Sequence, residues 1–281
     1  MPDIAPPAPA KPDMAALRAE IDTIDDALHD LLMRRAEVVA RLASSRAKGA
    51  STPLRAGREA AVLRRLLARH SGPLGRSRIV RIWREIFMAS TAIQGGFSAA
   101  VFAPSPQSGQ ARLAREHFGP ITPMRIHQTA ARALAAVSGG EASVAVLPVP
   151  VEEFDGTEGP WWARLDVPRL QVVARLPFVA DAGGPASLIV APVPPDPSGA
   201  DRTLLLAETG ADASRARIGQ ALADAGLEAA SLLVARVGDE TLALAEIEGF
   251  LAASDARLAA LPWARRTILG AYAVPVPGDA A

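Results

Sequence analysis

MAALRAEIDTIDDALHDLLMRRAEVVARLASSRAK, residues Met14 to Lys48, is the stretch whose reading decides the fold. Apolar side chains recur at Leu17, Ile21, Ile24, Leu28, Leu31, Val38 and Leu42, spaced in fours and threes with no Gly or Pro between them. That spacing predicts one long helix with a single apolar seam. The position that continues the seam between Leu31 and Val38 is Arg35, where a core-facing helix places an apolar side chain. A guanidinium there is costly unless an anion meets it. Arg46 returns to within roughly 20° of the same face at about 100° per residue, whereas Lys48 falls more than half a turn away. One face therefore presents at least two fixed cations. Such a helix is roughly 50 Å long, and the helices expected after it are much shorter. Covering its seam with a second copy of itself makes a symmetric homodimer the default expectation.

The chain has 281 residues, 49% of them hydrophobic, which is room for two or three domains with real cores. Thirty basic residues balance thirty acidic ones, which argues against nucleic-acid or membrane-surface partners. Without cysteine, disulfide and thiolate chemistry are excluded, and four scattered histidines suggest no metal cage and no cofactor. Residues 1–13 are Pro-rich and read as a disordered tail without the apolar run of a signal peptide, pointing to a cytoplasmic protein.

A second helix is expected from Arg55 to His70, with Val62, Leu63, Leu66 and Leu67 inward, and a third from Arg76 to Gln94. The third carries Ile79, Trp83 and Ile86 on a stripe that continues through Ser90 to Ile93. Gly95 and Gly96 end it, closing an all-α three-helix domain at 14–96. Residues 97–192 then alternate short strands (99–103, 143–148, 170–176, 187–191) with helices (108–118, 129–137), a small α/β domain. Val193 to Gly199 reads as a linker. Residues 200–275 give strand, helix 213–227, two strands joined at Gly238-Asp239, helix 254–264 and strand. That is the βαββαβ order of ferredoxin-like folds, followed by a frayed Pro-rich end.

Three polar residues interrupt the apolar stripes of the three helices: Arg35, Glu59 one turn before Leu63, and Ser90, with Gln94 one turn further on. Each has a structural explanation taken singly: snorkelling for Arg35, dipole complementation for Glu59, a bond to its own i−4 carbonyl for Ser90. With Arg18, Arg46 and Arg58 added they form a cationic, hydrogen-bonding pocket that lacks a nucleophile or a general-base histidine. Such a site suits a small dicarboxylate whose reaction is guided electrostatically.

Residues 14–95 resemble the all-helical chorismate mutases. The match is carried by Leu17-Arg18, Arg34-Arg35, Arg58-Glu59 and the run Ile82-Trp83-Arg84-Glu85-Ile86-Phe87 leading to Ser90 and Gln94. The resemblance implies an isomerase that converts chorismate to prephenate by a pericyclic rearrangement in aromatic amino-acid biosynthesis. It implies that Arg18, contributed across the dimer, and Arg35 hold the substrate carboxylates. Arg46, standing where the family has a lysine, and Gln94 meet the ether oxygen, Glu59 accepts from the ring hydroxyl, and Arg58 and Ser90 complete the polar wall. Arginine at 46 keeps the charge without the compact ammonium, and Arg55 stands where some members carry aspartate.

The remainder resembles, more weakly, the prephenate dehydratase and ACT regions that follow this mutase in bifunctional proteins. Residues 97–192 are similar to a shortened, degenerate dehydratase. Pro104-Ser105-Pro106-Gln107-Ser108-Gly109 replaces its glycine-rich turn, and Pro185-Ala186-Ser187 stands at the nearest equivalent of its Thr-Arg-Phe signature. Thr129 reads as a helix cap. Residues 200–275 are similar to an ACT domain whose phenylalanine-binding signatures are replaced by Ala216-Arg217-Ile218-Gly219 and Leu233-Val234-Ala235-Arg236. This leaves an aromatic amino-acid effector or a purely structural dimerising role. Two other functions compete with the mutase reading: a bifunctional mutase and dehydratase, and a non-catalytic sensor of chorismate or amino acids.

Overall fold

A computed structural model describes residues 13–45, 53–105, 108–152, 160–180, 184–210, 213–237 and 240–278. The chain forms two compact units, residues 1–48 and residues 49–281. Residues 1–12 of the expected tail and the joint at Gly238-Asp239 fall outside the described residues, as do Arg46 and Lys48, while Asp13, the last residue of that expected tail, is ordered as a helix cap.

The first unit is the helix α1 (Met14–Ser44), 31 residues without interruption. Asp13 caps it by accepting from the Ala15 amide at 3.0 Å. No α1 residue is buried, and the seven seam side chains are 41 to 62% exposed. An apolar face of this length, open along its whole extent, is what the seam reading anticipates for a helix that needs a partner.

The second unit begins with α2 (Ala56–Ala68) and α3 (Arg76–Gln94). There follow β1 (Ala99–Phe102), α4 (Gly109–Phe118), β2 (Met124–His127), α5 (Ala130–Ser138) and β3 (Val144–Pro148). Next come β4 (Gln171–Leu176), β5 (Val179–Ala180), β6 (Ser187–Ala191), β7 (Asp201–Thr209) and α6 (Arg215–Asp224). The last elements are β8 (Ala229–Val237), β9 (Glu240–Glu248), β10 (Arg266–Ala273) and β11 (Val276–Pro277). Nine strands make one mixed sheet in the order β2-β1-β3-β6-β4-β10-β7-β9-β8. The strand β2, absent from the sequence expectation, is four residues long and lies parallel to β1 at the sheet edge.

Side chains alternate across the parallel end of the sheet. Ala100 and Ala145 face α5, while Ala99, Val101, Val144 and Val146 face the Leu113, Ala114 and Phe118 side of α4. Thr129 caps α5 by accepting from the Arg132 amide. At the other end, β10-β7-β9-β8 is wholly antiparallel, and Ile218 and Leu222 of α6 pack on Leu205, Ala243 and Ile247. The α-helix expected at 254–264 is instead a 3₁₀ turn, Ala256–Ala260. Asp255 caps its start, and Pro262 cannot continue a helix, which leaves too few residues for α-helical turns.

The two ends of the sheet meet at one tight point. Gly270 of β10 lies opposite Val172 of β4, at φ +141, and a Cβ there would stand 2.1 Å from the Val172 carbonyl oxygen. Only glycine permits that approach.

Two expectations about connections are corrected. The segment 193–199 is held firmly: Arg64 of α2 donates to the Ser198 hydroxyl (2.6 Å) and to the carbonyls of Ala200 (2.8 Å) and Val274 (2.7 Å). Asp201, itself buried, accepts from the Ser198 hydroxyl and amide. The end of the chain is not frayed through residue 277, since β11 pairs with β5. Both corrections come from partners far along the chain, where local composition gives no information.

Candidate functional site

The expected site residues divide between the units. Arg18 and Arg35 belong to α1; Arg58, Glu59, Ser90 and Gln94 belong to the second unit; Arg46 lies outside the described residues. Because α1 is unbroken, the seventeen residues from Arg18 to Arg35 span about 25 Å and turn about 100° around the axis. One small dianion cannot be held by both cations of a single α1.

Within the second unit, α2 and α3 pack through Ala60, Leu63 and Leu67 against Val80 and Phe87, with Phe178 closing the cluster. The stripe of α3 that is most buried is Val80, Arg84, Phe87 and Thr91, about 100° round from the expected one; Ser90 is buried beside it. Ile79, Trp83 and Ile86 are half-buried, and so are Val62 and Leu66 of α2. Both helices therefore carry a second apolar stripe that this unit leaves incompletely covered.

Glu59 lies on the inward face of α2, in line with Leu63, and accepts from the Arg84 guanidinium at 2.7 Å. Both side chains are nearly covered, 13% and 10% exposed. Burial lowers the Arg84 pKa, and the Glu59 charge opposes that shift. The Arg84 guanidinium stacks on the Phe178 ring, 5.9 Å from its centroid. Ser90 donates to the Ile86 carbonyl at 2.7 Å, the local bond anticipated as its structural reading. The Gln94 amide donates to the Ser90 carbonyl at 3.0 Å, while its Oε1 is buried with no hydrogen-bond partner. Gln94 lines a cavity of about 600 Å³ together with Glu85, Phe97 and Phe118. Arg58 is exposed.

Two arginines take parts that the sequence did not assign. Arg55 donates to Asp196 at 2.8 Å and joins α2 to the 193–199 segment. Arg84 partners Glu59; its signal was a charged residue four after Val80 and three before Phe87, on a face that proves to be buried. Among the described residues, no group of three His, Asp or Glu is placed to hold a metal, and no helix is long and apolar enough to cross a membrane.

Residues 17–95, the three-helix stretch that carries these groups, match the sequence model of the family described as Chorismate mutase type II. Two curated relatives share one description. The bifunctional chorismate mutase/prephenate dehydratase of Stutzerimonas stutzeri is 30% identical over 160 residues, covering 52% of this chain and 40% of that protein. The protein of the same description from Pseudomonas aeruginosa PAO1 is 32% identical over 154 residues, with the same coverage. The chain thus spans 40% of the length of the curated relatives it matches. Among solved structures, one described as GqqA, a novel type of quorum quenching acylase, aligns with a TM-score of 0.50 at 21% identity. It covers 63% of this chain and 94% of that one, a likeness of fold.

Proposed function

We propose that this chain is a chorismate mutase, an isomerase that converts chorismate to prephenate. The observation that carries the reading is the coincidence of three things on residues 17–95: the family match, the three helices, and the polar set Arg18, Arg35, Arg58, Glu59, Ser90 and Gln94. Catalysis is differential binding. Cationic groups hold the two carboxylates in the compact conformer, and donors at Arg46 and Gln94 meet the charge that grows on the ether oxygen as its bond to carbon breaks. The buried, unpartnered Oε1 of Gln94 supports a polar role for that end of α3. The amide that would face the ether oxygen is bonded to Ser90, so substrate must turn it outward.

A homodimer completes the reading. The open seam of α1 and the 25 Å between its two cations both call for a second α1, with Arg18 of one chain and Arg35 of the other serving one substrate. We assign residues 14–96 to the mutase domain, 97–192 to a degenerate dehydratase-like region without dehydratase activity, and 200–275 to an ACT-like domain. The β10-β7-β9-β8 order supports the last assignment. That domain dimerises, and phenylalanine regulates weakly or not at all. The described helices contain no membrane span, in keeping with a cytoplasmic enzyme.

Loss of chorismate absorbance tests the reading. Arg35→Ala should lower kcat/KM by about a hundredfold or more, the cost of removing a charged stabiliser of the transition state, with the circular-dichroism spectrum unchanged. Parent-like turnover in that variant would remove Arg35 from the site, and tight binding of chorismate without turnover in the parent would favour a sensor. The names of the relatives favour one second reading, a bifunctional mutase and dehydratase. Phenylpyruvate formed from prephenate above the acid background would establish it.

A further inference from the structure

A cavity of about 200 Å³ lies between α3, α4 and the turn that follows β4. Val80, Leu113 and Phe178 form apolar wall, while Arg81, Arg84 and His117 bring nitrogen to it. Ser77 adds a hydroxyl and Glu116 a carboxylate at the lining.

The charges of the lining do not cancel within it. Arg84 is held by Glu59 at 2.7 Å, and Glu116 by Arg112 of the same helix at 2.7 Å, so each makes a neutral pair. Arg81 has no ion pair among the described residues. Buried His117 packs its ring edge-on to Phe118 at 4.7 Å and stays neutral at pH 7, because burial and the Arg84 charge both disfavour its protonation. One positive charge remains over, next to a second guanidinium that spends a single nitrogen on Glu59 and has further donors. A polar end of one excess positive charge and an apolar body of this volume define a ligand with one negative charge and a compact hydrocarbon part.

We propose that this cavity is a binding site for a small monocarboxylate with an aryl or branched alkyl body, its carboxylate between Arg81 and Arg84 and its body against Phe178, Val80 and Leu113. The site is distinct from the polar set of the proposed mutase centre and does not depend on that assignment. It touches that centre at one place, since Arg84 also holds Glu59. A carboxylate beside His117 favours the imidazolium, so binding takes up a proton and tightens as pH falls. The groups that set this response are Arg81 and Arg84 from α3, Glu116 from α4 and Glu59 behind Arg84.

The test is calorimetric titration of the full chain with 3-phenylpropionate, alongside its neutral isostere 3-phenyl-1-propanol and inorganic phosphate. The acid is expected to bind with a Kd of about a millimolar or below, and the alcohol and phosphate at least about tenfold more weakly. Arg81→Ala, which removes an exposed side chain and leaves the cores intact, should weaken the acid about tenfold, and Ser77→Trp should obstruct it. Affinity should rise from pH 8 to pH 6 with proton uptake, measured in two buffers of different ionisation enthalpy. Arg35→Ala should bind the acid as the parent does, which separates this cavity from the mutase centre whatever the turnover assay gives. Absence of binding overturns the proposal. So does parent-like affinity in Arg81→Ala, or loss of affinity in Arg35→Ala, which would place the acid at the mutase centre.

Discussion

Arg84 and Glu59 sit 2.7 Å apart with about nine-tenths of each side chain covered, so neither could remain charged in that position without the other. The arrangement fixes the direction of the Glu59 carboxylate through a guanidinium that is itself pressed on Phe178. Glu59 was legible as an inward charge because it shares a face with Leu63; its partner was not, because Arg84 lies off the α3 stripe that the periodicity picked out. His117 shares this environment, and burial with the nearby Arg84 charge holds its pKa well below the ordinary 6.5. The unfolded chain therefore binds this proton at higher pH than the folded one, and stability falls where that difference opens. The contribution of His117 is fully present above about pH 6.5 and is lost as pH drops from there towards the depressed folded value. Urea midpoints at about pH 7.5, 6.5 and 5.5 should show the parent losing stability faster than His117→Gln across that window. Equal slopes for the two proteins would mean that His117 does not titrate in this environment.

Helices and strands were read from periodicity to within a few residues wherever a pattern had its full length, as in α1, α3 and β6. What periodicity does not carry is which of two apolar stripes is buried deepest, and how distant segments meet. The α2 helix shows the difference. Leu63 and Leu67 were legible as core, but the docking of α2 on the 193–200 segment depends on Arg64 reaching Ser198, 134 residues away, and on Gly57. A Cβ on Gly57 would stand 2.1 Å from the Asp196 carbonyl oxygen, and backbone at that distance has to move. Gly57→Ala should therefore destabilise the second unit by about 1–3 kcal/mol, as other overpacked contacts do. Gly219, inside α6 with open space around it, is the matched control. Gly219→Ala should stabilise by about 0.4–1 kcal/mol through helix propensity and a less mobile unfolded chain. Thermal melts of both variants decide the matter, and a Gly57→Ala midpoint at or above the parent's would mean that α2 and the 193–200 segment yield to a methyl group without cost.

At the scale of the whole molecule, the second unit carries its own cores, whereas α1 leaves every seam side chain open. Burying an aliphatic side chain of this size is worth about 1.5–3 kcal/mol, so seven of them along one helix are a strong drive to association. The cations of the same helix tie that association to catalysis. If each substrate is held by Arg18 of one chain and Arg35 of the other, the monomer has no complete site, and a charge in the middle of the seam should abolish both assembly and turnover. Leu28→Glu is expected to sediment as a monomer and to lose activity with its helix content kept. A stricter outcome follows from the geometry. Arg18→Ala and Arg35→Ala should each be inactive alone, yet mixing equal amounts after dissociation and reassociation should restore about a quarter of the parent's activity. Half of the dimers are then mixed, and each mixed dimer holds one intact site of its two. Mixtures as inactive as their components would mean that both arginines act within one chain, and the 25 Å between them along α1 would then rule out a shared substrate.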